Sequence, residues 1–360
     1  MQITERVTRW RDFMQPVVET RDATNFRRCP EPMWLVVACA FLCGIAIIGT
    51  ACREKQSANV QNRASQTKAS GEVYSLTKVA GLPSAELDRT DVALLNLLCA
   101  QQLPSAGELN VSNSLATLDQ WAKRVQTETE RHLYRFRANP VEFENSEGYY
   151  RMLMMAVVFY EDFGIRYNPE RMSSPSTINP DDRFFSDSRD IFLHGLVGSR
   201  RMGTCSSMPV LYAAVGRRLG YPLKLVTTKA HLFLRWENEK ERFNLEATGR
   251  GMNRYDDEHF KRWPFPVSEE EIRTEGYLKS LTAAEELAVF LSLRGNCLKE
   301  SGQMQEAATC YSQAAQLAPE SRAYTLLLAD VQRTISQSEI SGQASDTVSA
   351  ARPRHSPLPR

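Results

Sequence analysis

A proline at position 209 fixes where one helix of this chain can begin. In the stretch "RMGTCSSMPVLYAAVGRRLGYP", apolar residues recur at helical spacing after the proline, and a glycine and a second proline close the pattern. Proline has no backbone N–H and is tolerated only in the first turn of a helix. The sequence therefore predicts a helix that begins near Cys205 and ends at Gly220. The Cys205 thiol would lie at the positive end of the helix dipole, where it is stabilised as a thiolate.

Three runs typical of β-strands follow this helix, at residues 223–229, 231–237 and 241–247. Polar and apolar residues alternate in the second run, "HLFLRWE", as they do in a strand with two unlike faces. Helical patterns precede the site between residues 91 and 164. A helix followed by adjacent strands predicts an α+β fold, in which the helix is laid against an antiparallel sheet.

The second and third runs carry a histidine and a glutamate toward the thiol. A turn centred on residues 238–239 pairs His231 directly with Glu246, and so does a four-residue loop closed by Trp236 and Glu241. Directly opposed side chains of antiparallel strands have Cβ atoms about 4.5–5.5 Å apart. A carboxylate there holds the tautomer of the imidazole and stabilises its protonated form. A loop of odd length would instead place Glu246 on the other face of the sheet.

The candidate site residues and the charged residues near them also have purely structural interpretations. A small buried cysteine and a hydrogen-bonded strand histidine would explain Cys205 and His231 without any chemistry. Lys229 and Arg250 flank the site and are candidates for selecting an acidic substrate, although solvated charges at strand ends would look the same. No histidines and cysteines have the spacing of metal ligands, so neither metal nor cofactor is expected. A net charge of +1 without a basic stripe argues against nucleic acid as a partner.

Residues 33–52, "MWLVVACAFLCGIAIIGTAC", contain no charged side chain. A helix of that length rises about 30 Å, the thickness of the bilayer core, which predicts one transmembrane helix after a leader at residues 1–32. A cleaved signal peptide is the alternative. Basic residues flank the span equally on both sides, so they do not orient it. The short leader favours an extracytoplasmic C-terminal part, joined through a flexible linker at residues 53–80.

The region at residues 281–335 carries the pattern of a helical repeat. If Gly295 takes the eighth position of a unit of about 34 residues, Ala307, Tyr311, Ala314 and Pro319 take the small, aromatic, small and proline positions of a tetratricopeptide repeat. This predicts tetratricopeptide-like helices that offer a site for a protein partner or pack on the preceding domain. Residues 336–360 are of low complexity and are predicted to be a disordered tail.

The residues around the predicted site resemble those of a known superfamily. "GTCSSMPVLYAAVGRRLGYPLKLV", "HLFLRW" and "FNLEATGRG" are similar to the cysteine–histidine–acid core of the transglutaminase-like superfamily, in particular its bacterial branch with a C-terminal tetratricopeptide segment. The resemblance implies a papain-like core with N-terminal helices over residues 81–270. It also implies Cys205 as nucleophile, His231 as base and Glu246 as acid, where the superfamily usually has aspartate.

Two functions follow from this resemblance. The first is a membrane-anchored thiol enzyme that attacks an amide bond of a protein or peptide substrate and forms a thioester. Water would resolve the thioester in a peptidase or amidase, which is a hydrolase, and an amine would resolve it in an acyltransferase. The alternative is a catalytically silent, membrane-anchored scaffold that binds a partner through the core and the tetratricopeptide-like segment.

Overall fold

A computed structural model describes residues 75–171, 183–248 and 252–350. The predicted leader, the predicted membrane span at residues 33–52 and most of the predicted linker lie outside these residues. Residues 351–360 of the predicted tail lie outside them as well. Within the part of the chain that is described, no helix combines the length and the apolar character needed to cross a bilayer.

The first half of the described chain is helical. Helix α3 is buried along its whole length, as expected for a short helix that is apolar on every side and lies inside the core. Helix α1 falls within the predicted linker, and Ser75 caps it by accepting a hydrogen bond from the backbone N–H of Lys78 at 3.2 Å. The last residues of the predicted linker are therefore helical. The five helices are Leu76–Ala80 (α1), Ser84–Leu87 (α2), Val92–Ala100 (α3), Val111–Ala138 (α4) and Glu147–Val157 (α5).

Two short parallel strands and a four-stranded antiparallel sheet follow. The sheet has the order β3-β4-β5-β6, which is also the order along the chain. Strands β1 and β2 pair in parallel and bring the end of the first helical part beside the start of α8. The elements are Arg166–Tyr167 (β1), Ser188–Ile191 (α6), Leu193–Val197 (α7), Met202–Gly203 (β2), Met208–Arg218 (α8), Leu223–Thr228 (β3), His231–Glu237 (β4), Arg242–Glu246 (β5) and Asn253–Tyr255 (β6).

Five helices complete the described chain. Helices α11 and α12 form a hairpin in which the Tyr311 ring is buried, and a Cβ added at Gly295 would lie 2.5 Å from that ring. Helix α13 continues through residues 336–350, where the sequence predicts disorder. That stretch contains no proline, so nothing in it removes a helical N–H. The helices are Asp257–Phe260 (α9), Glu269–Glu275 (α10), Ala283–Glu300 (α11), Met304–Leu317 (α12) and Arg322–Ala350 (α13).

The four-stranded sheet is covered on both faces, which confirms the predicted α+β class. On one face Leu223 packs so closely on α8 that a Cβ at Gly216 would lie 2.3 Å from it. On the other face Phe233 stacks on Phe260 of α9, with ring centroids 3.7 Å apart. All residues of β4 except Glu237 are buried. The alternation in "HLFLRWE" therefore marks two unlike buried faces and not a solvent-exposed one.

Helix α11 is fastened to the core by two arginines. Arg217, in the last turn of α8, donates from both terminal nitrogens to the buried Glu286 carboxylate, at 2.9 and 2.5 Å. Arg294 of α11 donates to the carbonyl oxygens of Cys99 and Gln101, at 2.8 and 2.7 Å. The two hydrogen bonds from Arg294 satisfy carbonyls at the end of α3 that have no partner within that helix. The C-terminal helices are thus joined to the core through buried, charge-assisted contacts.

We expect Glu286→Ala to lower the free energy of unfolding by about 3 kcal/mol, because it leaves the Arg217 guanidinium without its buried partner. Denaturant titration of the full chain measures this change. Glu306→Ala is the matched control, since Glu306 is exposed on α12, and its effect should stay within about 0.5 kcal/mol. Equal effects of the two substitutions would contradict the anchoring role of the Arg217–Glu286 pair.

Candidate active site

Cys205 lies in the turn that leads into α8. The backbone N–H groups of Ser207 and Met208 both donate to the Thr204 carbonyl, at 3.2 and 2.9 Å, so a first helical turn already encloses Cys205. Regular α8 begins at Met208, slightly later than the sequence predicts, and Pro209 occupies its first turn. Cys205 is partly exposed whereas Thr204 is fully buried. The thiol therefore lies at the N-terminal end of a helix and remains accessible from solvent.

His231 and Glu246 form a buried contact pair. The Nε2 atom of His231 lies 2.6 Å from Oε2 of Glu246, and the two side chains are only 4% and 7% exposed. The Cys205 thiol lies close enough to the imidazole to help raise its pKa. Because Nε2 faces the carboxylate, Nδ1 is the ring nitrogen that remains for the thiol. The structure thus brings together the three residues that the sequence predicts.

The register of β4 and β5 differs from the predicted one. Glu237 pairs with Arg242, so the loop covers residues 238–241 and its centre lies one residue later than predicted, which moves each strand partner by two residues. The Asn238 side chain closes this loop, because it accepts hydrogen bonds from the backbone N–H groups of Lys240 and Glu241, at 2.8 and 2.9 Å. The predicted direct pairing of His231 with Glu246 is therefore wrong. The shift is even, so the two side chains still meet.

This offset explains why a glutamate suits the site. Extending the observed register would place Phe233, and not His231, opposite Glu246. Diagonal neighbours on antiparallel strands are about 7–8 Å apart, which is farther than opposed pairs, and the extra methylene of glutamate spans part of that distance. The other oxygen, Oε1, accepts hydrogen bonds from the N–H and hydroxyl of Thr248, at 2.8 and 2.5 Å. Both oxygens of the carboxylate are therefore held in place.

Burial and pairing act in opposite directions on these two groups. Burial lowers the pKa of His231, but the Glu246 carboxylate and the nearby Cys205 thiol outweigh it and raise the pKa to about 10. Burial raises the pKa of Glu246, but His231 and the hydrogen bonds from Thr248 bring it below its ordinary value. Both shifts favour the imidazolium–carboxylate form at neutral pH. The imidazole is thus held in the protonated state that a neighbouring thiolate requires.

Tyr167 is a site residue that the sequence analysis does not identify. Pairing of β1 with β2 sets Tyr167 beside Gly203 and so beside the Cys205 turn. Its phenol oxygen lies beside the backbone N–H of Cys205, and its hydroxyl donates weakly to the Arg171 carbonyl, at 3.4 Å. Burial raises the pKa of Tyr167, so the phenol stays a neutral donor. A two-residue strand leaves no periodic pattern from which this position could have been found.

Aromatic rings pack against His231, and the structure describes only one of the two basic residues that flank the site in the sequence. Trp263 contacts His231 edge to face, with ring centroids 4.6 Å apart. Lys229 is exposed and pairs with Glu271 at 2.7 Å, while Arg250 lies outside the described residues. Over the residues that the structure describes, no three histidine, cysteine, aspartate or glutamate side chains are grouped as metal ligands are.

We expect Glu246→Gln to lower the pKa of His231, because burial then acts on the imidazolium without the opposing carboxylate. NMR titration of the full chain measures this directly, with the His231 signal assigned from its loss in His231→Gln. The native imidazolium signal should persist to about pH 10, and that of the variant should disappear well below this. Glu271→Gln is the control and should leave the titration unchanged. A native-like titration in Glu246→Gln would show that the pair does not set this pKa.

Comparison with known protein families covers the part of the chain that holds this site. Residues 112–263 match the model of the transglutaminase-like superfamily. The match runs from α4 to just beyond α9 and includes Cys205, His231 and Glu246, but not the C-terminal helices. Comparisons with curated proteins and with solved structures found no match. From its matched residues, the chain carries a transglutaminase-like superfamily domain at residues 112–263.

Proposed function

We propose that this chain is a thiol enzyme that acts on amide or peptide bonds of a protein or peptide substrate. One observation carries the proposal. Cys205, partly exposed in the turn before α8, lies close enough to an imidazole to help raise its pKa, and a buried carboxylate contacts that imidazole at 2.6 Å. Such a chain of contacts generates a thiolate–imidazolium pair, the reactive form of a cysteine nucleophile.

The reaction begins with attack of the Cys205 thiolate on the carbonyl carbon of the substrate amide. The imidazolium of His231 gives the Nδ1 proton to the leaving nitrogen as the C–N bond breaks, which releases an amine and leaves an acyl thioester on Cys205. Neutral His231 then takes a proton from the second nucleophile as that nucleophile attacks the thioester carbonyl. The C–S bond breaks, the product leaves, and the thiolate–imidazolium pair is restored. Glu246 holds the imidazole in place and stabilises its charged form throughout.

The negative oxygen of the tetrahedral intermediate needs donors close to the thiol. The backbone N–H of Cys205 is one candidate donor, since the N–H groups of Ser206, Ser207 and Met208 already donate to Thr204. The Tyr167 phenol, whose oxygen lies beside the Cys205 backbone N–H, is a neutral hydroxyl next to the same position. Its bond to the Arg171 carbonyl is long, at 3.4 Å, and is readily exchanged for a stronger one to an oxyanion. We assign Tyr167 as the side-chain donor, a contribution for which about 10²–10³ in rate is typical.

Either water or an amine can resolve the thioester, and we propose water as the main acceptor. Cys205 is partly exposed, so water reaches an acyl group on its sulfur without a second binding site. This makes the domain a peptidase or amidase. An acyltransferase would in addition need to hold an amine beside His231 and exclude water from the thioester.

The remaining parts of the proposal concern location and partners. The uncharged stretch at residues 33–52 is the basis for one membrane anchor, with the domain on the extracytoplasmic side. The close packing of Gly295 on Tyr311 in the α11–α12 hairpin supports a tetratricopeptide-like segment that offers a surface to a protein partner. The scaffold alternative has no need of a thiol held against a charged imidazole.

The proposal predicts an abnormal pH dependence of Cys205 alkylation. In the full chain, iodoacetamide should alkylate Cys205 readily near pH 6, where a free thiol is almost wholly protonated, and His231→Ala should slow that reaction about tenfold or more. Mass spectrometry of the tryptic peptide at residues 202–217 isolates Cys205 from the other cysteines. His194→Ala is the control and should leave the profile unchanged. An ordinary profile in the native chain would favour the scaffold alternative.

The register of β4 and β5 predicts that aspartate cannot replace Glu246. The shorter side chain would leave its carboxylate short of Nε2, so Glu246→Asp should resemble Glu246→Gln in the alkylation profile. In both variants Cys205 should be alkylated more slowly near pH 6 than in the native chain. If Glu246→Asp kept the native profile while Glu246→Gln lost it, the argument from register would be wrong and the role of the carboxylate would stand.

A further inference from the structure

We propose that Asp190 is a positioning residue that holds the Cys205 turn and the Tyr167 strand together around the reactive thiol. The inference rests on the proposed function. Asp190 belongs to the short helix α6 and is 1% exposed. It contacts neither His231 nor Glu246, so any effect on the chemistry passes through the backbone on which Cys205 and Tyr167 are placed.

The backbone carbonyl of Asp190 is bound to both sides of the Cys205 turn. It accepts a hydrogen bond from the Thr204 hydroxyl at 2.8 Å and another from the Ser207 hydroxyl at 2.9 Å. The Ser207 hydroxyl also accepts from the Thr204 backbone N–H at 3.0 Å. Thr204 and Ser207 are fully buried, so these bonds do not compete with water. The position of this one carbonyl therefore sets the position of the turn.

The carboxylate of Asp190 is held by three donors from other segments. Oδ1 accepts from Nδ2 of Asn168 at 2.9 Å and forms an ion pair with Nη1 of Arg200, also at 2.9 Å, and Oδ2 accepts from Nε of Arg171 at 3.1 Å. Asn168 directly follows Tyr167, and its own N–H donates to the Gly203 carbonyl at 2.8 Å. The same carboxylate thus fixes the strand that carries Tyr167 and, through α6, the turn that carries Cys205.

The chemistry of the carboxylate explains why no neutral side chain serves equally well. Helix α6 has only four residues, which is too short to hold its own carbonyl groups in place by helix formation. An asparagine would offer one acceptor oxygen and turn its NH₂ group toward a second donor. At least one of the three donors would then be unpaired in a buried site, and α6 would move to relieve it.

The test is the pH profile of Cys205 alkylation in the full chain with Asp190→Asn. We expect the alkylation rate near pH 6 to fall about tenfold or more, toward the rate of a free thiol. Asp162→Asn is the matched control, because it removes a carboxylate that pairs with Arg124 at 2.9 Å and not with the donors around Asp190. It should leave the profile unchanged. A residue that only stabilised the fold would change the melting temperature but not the profile measured below it.

A second pair of variants keeps the test decisive if Asp190→Asn does not fold. Thr204→Val removes the hydroxyl that binds the Asp190 carbonyl and should shift the profile in the same direction. Thr204→Ser keeps that hydroxyl and should retain the native profile. A native profile in Asp190→Asn, or in Thr204→Val where Asp190→Asn does not fold, would overturn the role of Asp190 and leave the proposed function intact. An ordinary profile in the native chain would overturn both.

Discussion

The buried contact between His231 and Glu246 is the interaction on which the site depends. Two charged groups are costly to remove from water, and the cost is offset only when their remaining hydrogen-bonding atoms are also satisfied. Thr248 occupies the second carboxylate oxygen and the Cys205 thiol lies close to the imidazole. The sheet excludes water from the contact, because β4 is covered on both faces, and the contact lies just beyond the last paired residues of β4 and β5. The four-residue loop between β4 and β5 sets the register that brings the two side chains together, although it lies at the far end of both strands.

Much of this arrangement can be read from the sequence because its signals are local. Pro209 places the start of α8, and the apolar pattern of residues 223–247 identifies three strands. The side of the sheet on which Glu246 lies follows from the even length of the loop alone. The register did not follow, because the loop is closed by hydrogen bonds to the Asn238 side chain, and two even loops are equally compatible with the alternation of the strands. The predicted hairpin therefore has Glu246 on the correct face of the sheet but opposite the wrong residue of β4.

What the sequence did not reveal depends on contacts between distant segments. Tyr167 lies on a strand of two residues, which is too short to show a period. Asp190, in "DSRDIFLHG", has the pattern of an exposed charge at the start of a helix. It is buried because Arg171 and Arg200 approach it from both sides. Arg171 follows β1 and Arg200 precedes β2, so the β1–β2 pairing brings both of them to Asp190. Positioning residues of this kind become visible only in three dimensions.

The other thiols of the described chain show what a cysteine without chemistry looks like in this fold. Cys99, Cys297 and Cys310 are buried, and burial raises the pKa of each, that of Cys297 to about 12. They lie within helices α3, α11 and α12, where no imidazole is their hydrogen-bond partner in the described structure. Cys205 differs in each respect: it is partly exposed, lies where a helix begins, and lies close to a charged histidine. A small buried hydrophobe needs none of these three features, whereas a nucleophile needs all of them.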